Sequence, residues 1–250
     1  MGEPLKKEDI RRVLEFYRAL GLESVPLGPF PAKGDARRQD MGCSGENRQE
    51  KQKALNALKE SIAGCALCKL SAGRKNIVFG EGDPEAALMF IGEAPGREED
   101  LQGRPFVGDA GKLLTSFMER MGFRREDVFI ANIAKCRPPG NRVPEEDEVA
   151  ACIGFLKKQI EIIRPKAIMA LGSVSAQNLL GTKTPISALK GKRFEFGGIP
   201  LVPTFHPAFL LRNPSRKWDT LEDALPVLEI LGEPEKTDNL KTLLRQKRKT

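Results

Sequence analysis

Five cysteines and a single histidine bound the chemistry open to this chain. Cys65 and Cys68 form a C-x-x-C pair, and Cys136 and Cys152 follow with fifteen residues between them. A C-x-x-C pair presents two sulfurs from one turn, and the later pair adds two more from a strand-exit loop and the helix after it. Four thiolates without a neighbouring imidazole suit either a [4Fe–4S] cluster or an all-cysteine zinc site, and the intervals do not choose between them. The alternative is burial as small hydrophobes, a common fate of free cysteine. A bound centre would join segments 67 residues apart and so contribute to folding. With His206 alone, a multi-histidine metal centre is excluded.

Three polar loops carry the remaining candidates. Gly92-Glu93-Ala94-Pro95-Gly96 sets a carboxylate between glycines that let a planar ligand approach the backbone; in isolation it also reads as a turn with a solvated glutamate. Phe106, within Gly103-Arg104-Pro105-Phe106-Val107-Gly108-Asp109-Ala110-Gly111, is either core or a face on which a base stacks. Asn132 lies in an apolar run, where its amide needs partners, either structural ones or the edge of a base. His206 stands beside Phe205, Phe209, Leu210, Leu211 and Arg212, and a lone histidine is more often structural than catalytic. Together, a carboxylate, an aromatic, an amide and an imidazole leaving one end of a sheet would enclose a flat polar heterocycle.

Apolar runs at 86–91, 128–134, 167–171 and 201–204 are short enough for buried strands, and helical periodicity predicts helices over 110–121, 145–163 and 175–180. The helix over 145–163 has an apolar stripe of Val149, Ile153, Leu156, Ile160 and Ile163, acids at its positive end, and Pro165 as its stop. Apolar strands alternating with helices predict a parallel sheet covered on both faces, with ligands at the carboxyl ends of its strands. Leu55, Leu58 and Ile62 predict a further helix leading to Cys65. Ahead of it, Ile10, Val13, Leu14, Tyr17 and Leu20 predict an amphipathic helix within residues 1–24. Residues 25–51 read as a Gly- and Pro-rich linker containing Cys43, 52–230 as the main domain, and 231–250 as a solvated basic tail.

A length of 250 residues with 40% hydrophobic and 30% charged suits one compact domain with extra length, and excludes a disordered or fibrous chain. No apolar run approaches the ~18 residues of a membrane span, and no signal-peptide core follows Met1, so the chain reads as cytoplasmic. Lys and Arg number 41 against 34 Asp and Glu, a charge of +7 that favours a polyanionic partner, nucleic acid first.

The motifs GEAPG (92–96), GRPFVGDAG (103–111), NIAKCRPPGNR (132–142) and HPAFLLRNP (206–214), with the four cysteine intervals in order, resemble the family 4 uracil-DNA glycosylases. These are the iron–sulfur branch of their superfamily, and the likeness covers about residues 52–230. It implies an α/β three-layer α/β/α sandwich with a central four-stranded, mainly parallel sheet. It also implies one [4Fe–4S] cluster in place of zinc, held by Cys65, Cys68, Cys136 and Cys152. The implied reaction is hydrolysis of the N-glycosidic bond of uracil in single- or double-stranded DNA, releasing uracil and leaving an abasic site.

By the same resemblance Gly92, Glu93 and Ala94 form the first pocket motif, Phe106 stacks on uracil, Asn132 pairs with its polar edge, and His206 faces its O2. Leu210, Leu211 and Arg212 fall where the superfamily inserts a wedge into the duplex. Glu93, Asn132 and His206 are then the catalytic candidates. Two positions depart from the best-known members: Ala94 replaces their water-activating aspartate, and Gly96 replaces the tyrosine that rejects thymine. Glu93 is the nearest carboxylate for water, or else a holder of the pocket. The expected protein is a monomer acting on uracil-containing DNA, with residues 1–51 available to a repair or replication partner. The competing class is a nucleic-acid-binding module stabilised by zinc or a cluster and lacking glycosylase activity.

Overall fold

The computed structural model describes residues 44–247. Strands β1 (Glu81–Gly82), β2 (Leu88–Gly92), β3 (Phe129–Asn132), β4 (Ala167–Leu171), β5 (Phe194–Phe196) and β6 (Ile199–Thr204) form one sheet in the order β1-β3-β2-β4-β6-β5. The central β3-β2-β4-β6 are parallel, matching the expected four-stranded core, and the short antiparallel β1 and β5 extend its edges. Every residue of β2, β3 and β4 is buried, which is why these segments are continuous apolar runs.

The helices are α1 (Ser44–Ser61), α2 (Arg97–Gln102), α3 (Asp109–Arg120), α4 (Glu146–Ile163), α5 (Ser173–Leu180), α6 (Ile186–Leu189), α7 (Pro207–Arg212), α8 (Lys217–Asp223), α9 (Leu225–Leu231) and α10 (Pro234–Lys247). Met89, Ile91, Ile168 and Ala170 point to one face of the sheet and pack on α1, α4 and α5 through Leu58, Phe155, Leu156 and Leu179. Their alternates Leu88, Phe90, Ala167 and Met169 pack on α3, α8, α9 and α10 through Leu114, Met118, Leu221, Leu228 and Leu240. This two-residue alternation produces the three-layer α/β/α sandwich. The chain runs from β2 outward to β3 and then back across β2 to β4. The connections leaving β2 and β4 therefore cover opposite faces, and a crevice opens at the carboxyl ends of these strands.

Two expectations at the borders of the domain are corrected. The linker expected over 25–51 already turns helical at Ser44, because 46–53 is rich in Glu, Lys, Arg and Gln, good helix formers. Lys51 Nζ donates to the carbonyl of Ile163 at the end of α4 (3.0 Å), and Arg48 pairs with Asp83 (3.0 Å), so both dock the helix on the domain. The solvated tail expected over 231–250 is largely α10, with Leu240 and Leu244 buried against the α3 face. Its charges surround an apolar stripe, which composition alone conceals. The amphipathic helix expected in residues 1–24, and Cys43, lie outside the described residues. Among the described residues no helix is long and apolar enough to cross a membrane.

Because Leu240 is fully buried, Leu240→Ala is expected to lower unfolding stability by about 2–5 kcal/mol, as core truncations do. Urea unfolding measures this; an unchanged midpoint would return α10 to the status of a tail.

Candidate active site

Four strand ends meet at the crevice. Gly92 ends β2 in register with Asn132 at the end of β3, and His206 follows β6. A Cβ at Gly92 would lie 2.4 Å from Asn132 Oδ1 and 2.5 Å from Phe106 Cζ, so the close convergence of these three residues requires glycine. The Phe106 and His206 rings stand 5.7 Å apart, inclined by 35°. Gly172, at the end of β4, has φ +91°, and a Cβ there would meet His206 Cβ at 2.8 Å. Gly92, Phe106, Asn132 and His206 thus converge at one end of the sheet, with Glu93 next in the chain.

Glu93 is half-buried, and among the described residues its carboxylate has no hydrogen-bond partner. Burial raises its pKa above the ordinary carboxylate value. Ala94 packs against the apolar patch of Leu70, Ala134 and Cys136. Asn132 is 2% exposed and its Oδ1 is buried without a partner, a costly state for an amide that binds nothing. Nδ1 of His206 accepts the N–H of Ala208 (3.1 Å) and caps α7. A neutral ring so engaged carries its proton on Nε2, which makes Nε2 a donor. Burial holds the ring neutral: its pKa falls to about 4, with the charge of Arg212 pushing down and that of Glu99 opposing.

The supports of this pocket escaped the sequence reading. Phe106 adopts φ 51°, unusual for an aromatic residue. Arg125 holds that turn, donating from Nη1 to the Phe106 carbonyl (3.0 Å) and also to the Pro105 carbonyl, while Glu81 anchors its Nε (2.7 Å). The buried carboxylate of Glu99 accepts the N–H groups of Val107 and Gly108 (both 2.9 Å) and of Gly96 (3.1 Å), clasping the loops that carry Glu93 and Phe106. Before His206, Thr204 Oγ1 donates to Asp223 (2.7 Å), which also accepts from Lys190 Nζ (3.0 Å). A glutamate three residues beyond Gly96 was a visible helix-start signal; the other partners are distant in sequence and gave none.

The four cysteines form no disulfide and line one common space with Arg74, Ser71 and Lys135. Among the described residues no three His, Cys, Asp or Glu side chains gather closely enough for a single metal ion. N–H donors address three of the sulfurs. The backbone of Lys135 donates to Cys152 Sγ (3.2 Å), Arg74 Nη1 to Cys136 Sγ (3.5 Å), and the backbone of Leu70 to Cys68. Burial raises the thiol pKa of Cys68 and Cys136, and that of Cys152 to about 12, so anionic sulfur here needs a cationic centre. Such donors and a multi-sulfur wall fit a thiolate-bound cluster.

The three residues expected at the wedge separate. Leu210 is only 4% exposed and lines a cavity together with Leu113 and Phe117 of α3 and Trp218 of α8. Leu211 is 43% exposed and Arg212 is exposed beside it.

Residues 79–229 match the family described as the uracil DNA glycosylase superfamily. The chain is 46% identical over 169 residues to a type-4 uracil-DNA glycosylase of Thermotoga maritima, a match covering 67% of this chain and 88% of the relative. It is 44% identical over 192 residues to one of Sulfurisphaera tokodaii, covering 73% and 87% respectively. With that of Archaeoglobus fulgidus, identity is 41% over 192 residues, covering 74% and 96%. The matched span holds the whole parallel sheet and all four strand ends at the pocket, and the chain belongs to the type-4 branch of the uracil DNA glycosylase superfamily.

Proposed function

We infer that this chain is a DNA-repair hydrolase that cleaves the N-glycosidic bond of uracil in DNA, releasing uracil and leaving an abasic site. The observation that carries this reading is the unpartnered Asn132 Oδ1, buried where Phe106 and His206 converge. A base inside a duplex is out of reach, so uracil is flipped into the pocket at a cost of a few kcal/mol, less when it is mispaired. Leu211 fills the vacated stack and Arg212 meets a phosphate. Phe106 stacks on the base. Asn132 accepts from N3–H and donates to O4, a pattern opposite to that presented by cytosine.

The C1′–N1 bond breaks with its electron pair leaving on uracil, and the charge that gathers on O2 faces the neutral His206 Nε2–H. Water adds to C1′ and passes its proton to Glu93, whose desolvated carboxylate is a stronger base than a solvated one. Cys65, Cys68, Cys136 and Cys152 would hold one [4Fe–4S] cluster, which would join the segment after α1 to the loop beyond β3 and to α4. The protein works as a monomer, and the part of residues 1–51 that precedes α1 serves as a docking element for a repair partner.

The deciding experiment incubates uracil-containing single- and double-stranded oligonucleotides with purified protein and measures iron on the same sample. Abasic sites in both strands and about four irons per chain are expected. Uracil left intact by folded, iron-replete protein would overturn the reading. A colourless, zinc-bearing preparation that grips DNA without cutting it would establish the binding-module class instead.

A further inference from the structure

Lys135 is the single lysine or arginine in the buried set among the described residues, at 1% exposure. Its Nζ donates to the backbone carbonyl of Asn132 (2.9 Å) and to Gln159 Oε1 on α4 (2.6 Å), and Gln159 Nε2 donates in turn to the carbonyl of Phe79 (2.9 Å). Its own backbone N–H reaches Cys152 Sγ (3.2 Å), and its carbonyl accepts from Val78 (2.8 Å). One residue therefore contacts both the four-thiol site and the strand end that carries the base-reading amide.

The fold does not by itself require a lysine here. A methionine would fill the same volume in this apolar layer without desolvating an amine, and buried polar groups persist where their partners are fixed. The partner that matters is the Asn132 carbonyl. Just past it, the ladder between β2 and β3 closes with Ile133 N–H on Gly92 (3.0 Å) and Ala134 N–H on Glu93 (3.0 Å). Nζ pins the peptide group between those bonds and the Asn132 side chain. The direction of the Asn132 Cα–Cβ bond, and with it the aim of the unpartnered Oδ1, depends on that peptide plane.

We propose that Lys135 is a positioning residue for uracil recognition, holding the Asn132 amide at its pairing angle and linking the cysteine-held centre to the pocket. This rests on the excision reading above and extends it to a residue that touches neither substrate nor cluster iron.

The test uses the full-length, iron-replete chain, with Lys135→Met and with Lys135→Met/Gln159→Met. The double variant removes Gln159 Oε1, one of the two acceptors that the single change strands. Measured quantities are inhibition by free uracil, kcat/KM on a uracil oligonucleotide, affinity for uracil-free DNA, iron content and thermal midpoint. In both variants uracil inhibition and kcat/KM are expected to weaken together by about tenfold, equivalent to about 1.4 kcal/mol. Affinity for uracil-free DNA stays unchanged, and the double variant keeps parental iron and a near-parental midpoint. A merely structural lysine would lower the midpoint and iron content while leaving the folded fraction's affinity for uracil intact, and that result overturns the proposal. So does parental uracil affinity in an iron-replete double variant, should the single one fail to fold. If the parent itself cuts no uracil strand, the excision reading fails instead, and calorimetric binding of free uracil to parent and double variant still decides the role of Lys135.

Discussion

Replacing His206 with asparagine is expected to slow uracil excision by about 10²- to 10³-fold, the loss that follows removal of one preorganised donor to a developing anion. Asparagine is the informative choice because the imidazole does two things. Nδ1 caps α7 through Ala208, and an asparagine side chain serves well at that position, so the helix stays capped. The shorter amide lacks the reach of Nε2–H. Single-turnover rates on a uracil oligonucleotide, read beside circular dichroism, separate these effects. A variant as fast as the parent would remove His206 from the reaction.

The same substitution has a stability readout whose sign follows from burial. Folded, the ring takes a proton only near pH 4, whereas unfolded it does so near 6.5. Between those values the unfolded chain holds the extra proton, so stability is complete above about 6.5 and drains as pH falls toward 4. At about 1.4 kcal/mol per pH unit the loss is about 3 kcal/mol across the window. Urea unfolding of the parent between pH 7 and 4 should show this excess over His206→Asn. Equal slopes would mean that the imidazole is not held neutral by the fold, and its role as a neutral donor would fall with that.

How much of this was legible in the residues depends on whether a signal was local. The strand 167–171 and the helix over 145–163 fall where expected to within a residue, since a buried run and an apolar stripe need no distant partner to be recognised. The expected strand over 128–134 is observed as Phe129–Asn132, because beyond Asn132 the N–H groups turn to the β2 exit loop. β1 and β5 escaped because two or three residues carry no periodicity. At the crevice, the residue types that converge were readable, since an amide in an apolar strand or a lone imidazole beside leucines is conspicuous. Arg125, Lys135 and Gln159 were not, and Glu99 was readable only as the start of a helix. Their meaning lies in a backbone group brought close only by folding, as when Glu99 meets Val107 or Gln159 meets Phe79 across 80 residues. The burial of Leu210 beside exposed Leu211 likewise depends on where α3 and α8 pack.

Asn132→Leu should be the more severe change for catalysis, with excision lowered by about 10³-fold, equivalent to about 4 kcal/mol at the transition state. Leucine nearly matches asparagine in shape but neither accepts from N3–H nor donates to O4, and a uracil seated against it leaves its own polar edge unpaired in a dry pocket. The folded protein, by contrast, should be unharmed or gain about 1 kcal/mol, because the native side chain buries an oxygen that nothing in the described chain satisfies. An opposed outcome in rate and stability is the signature of a group kept for its ligand at the expense of the fold. A structural asparagine behaves otherwise, since removing it would strand its partners and lower both together. Rates on uracil and urea midpoints for the same preparation therefore discriminate the two. A variant that is less stable yet excises at the parental rate would show that Oδ1 answers to the fold, and uracil would then have to be read by other groups at the crevice.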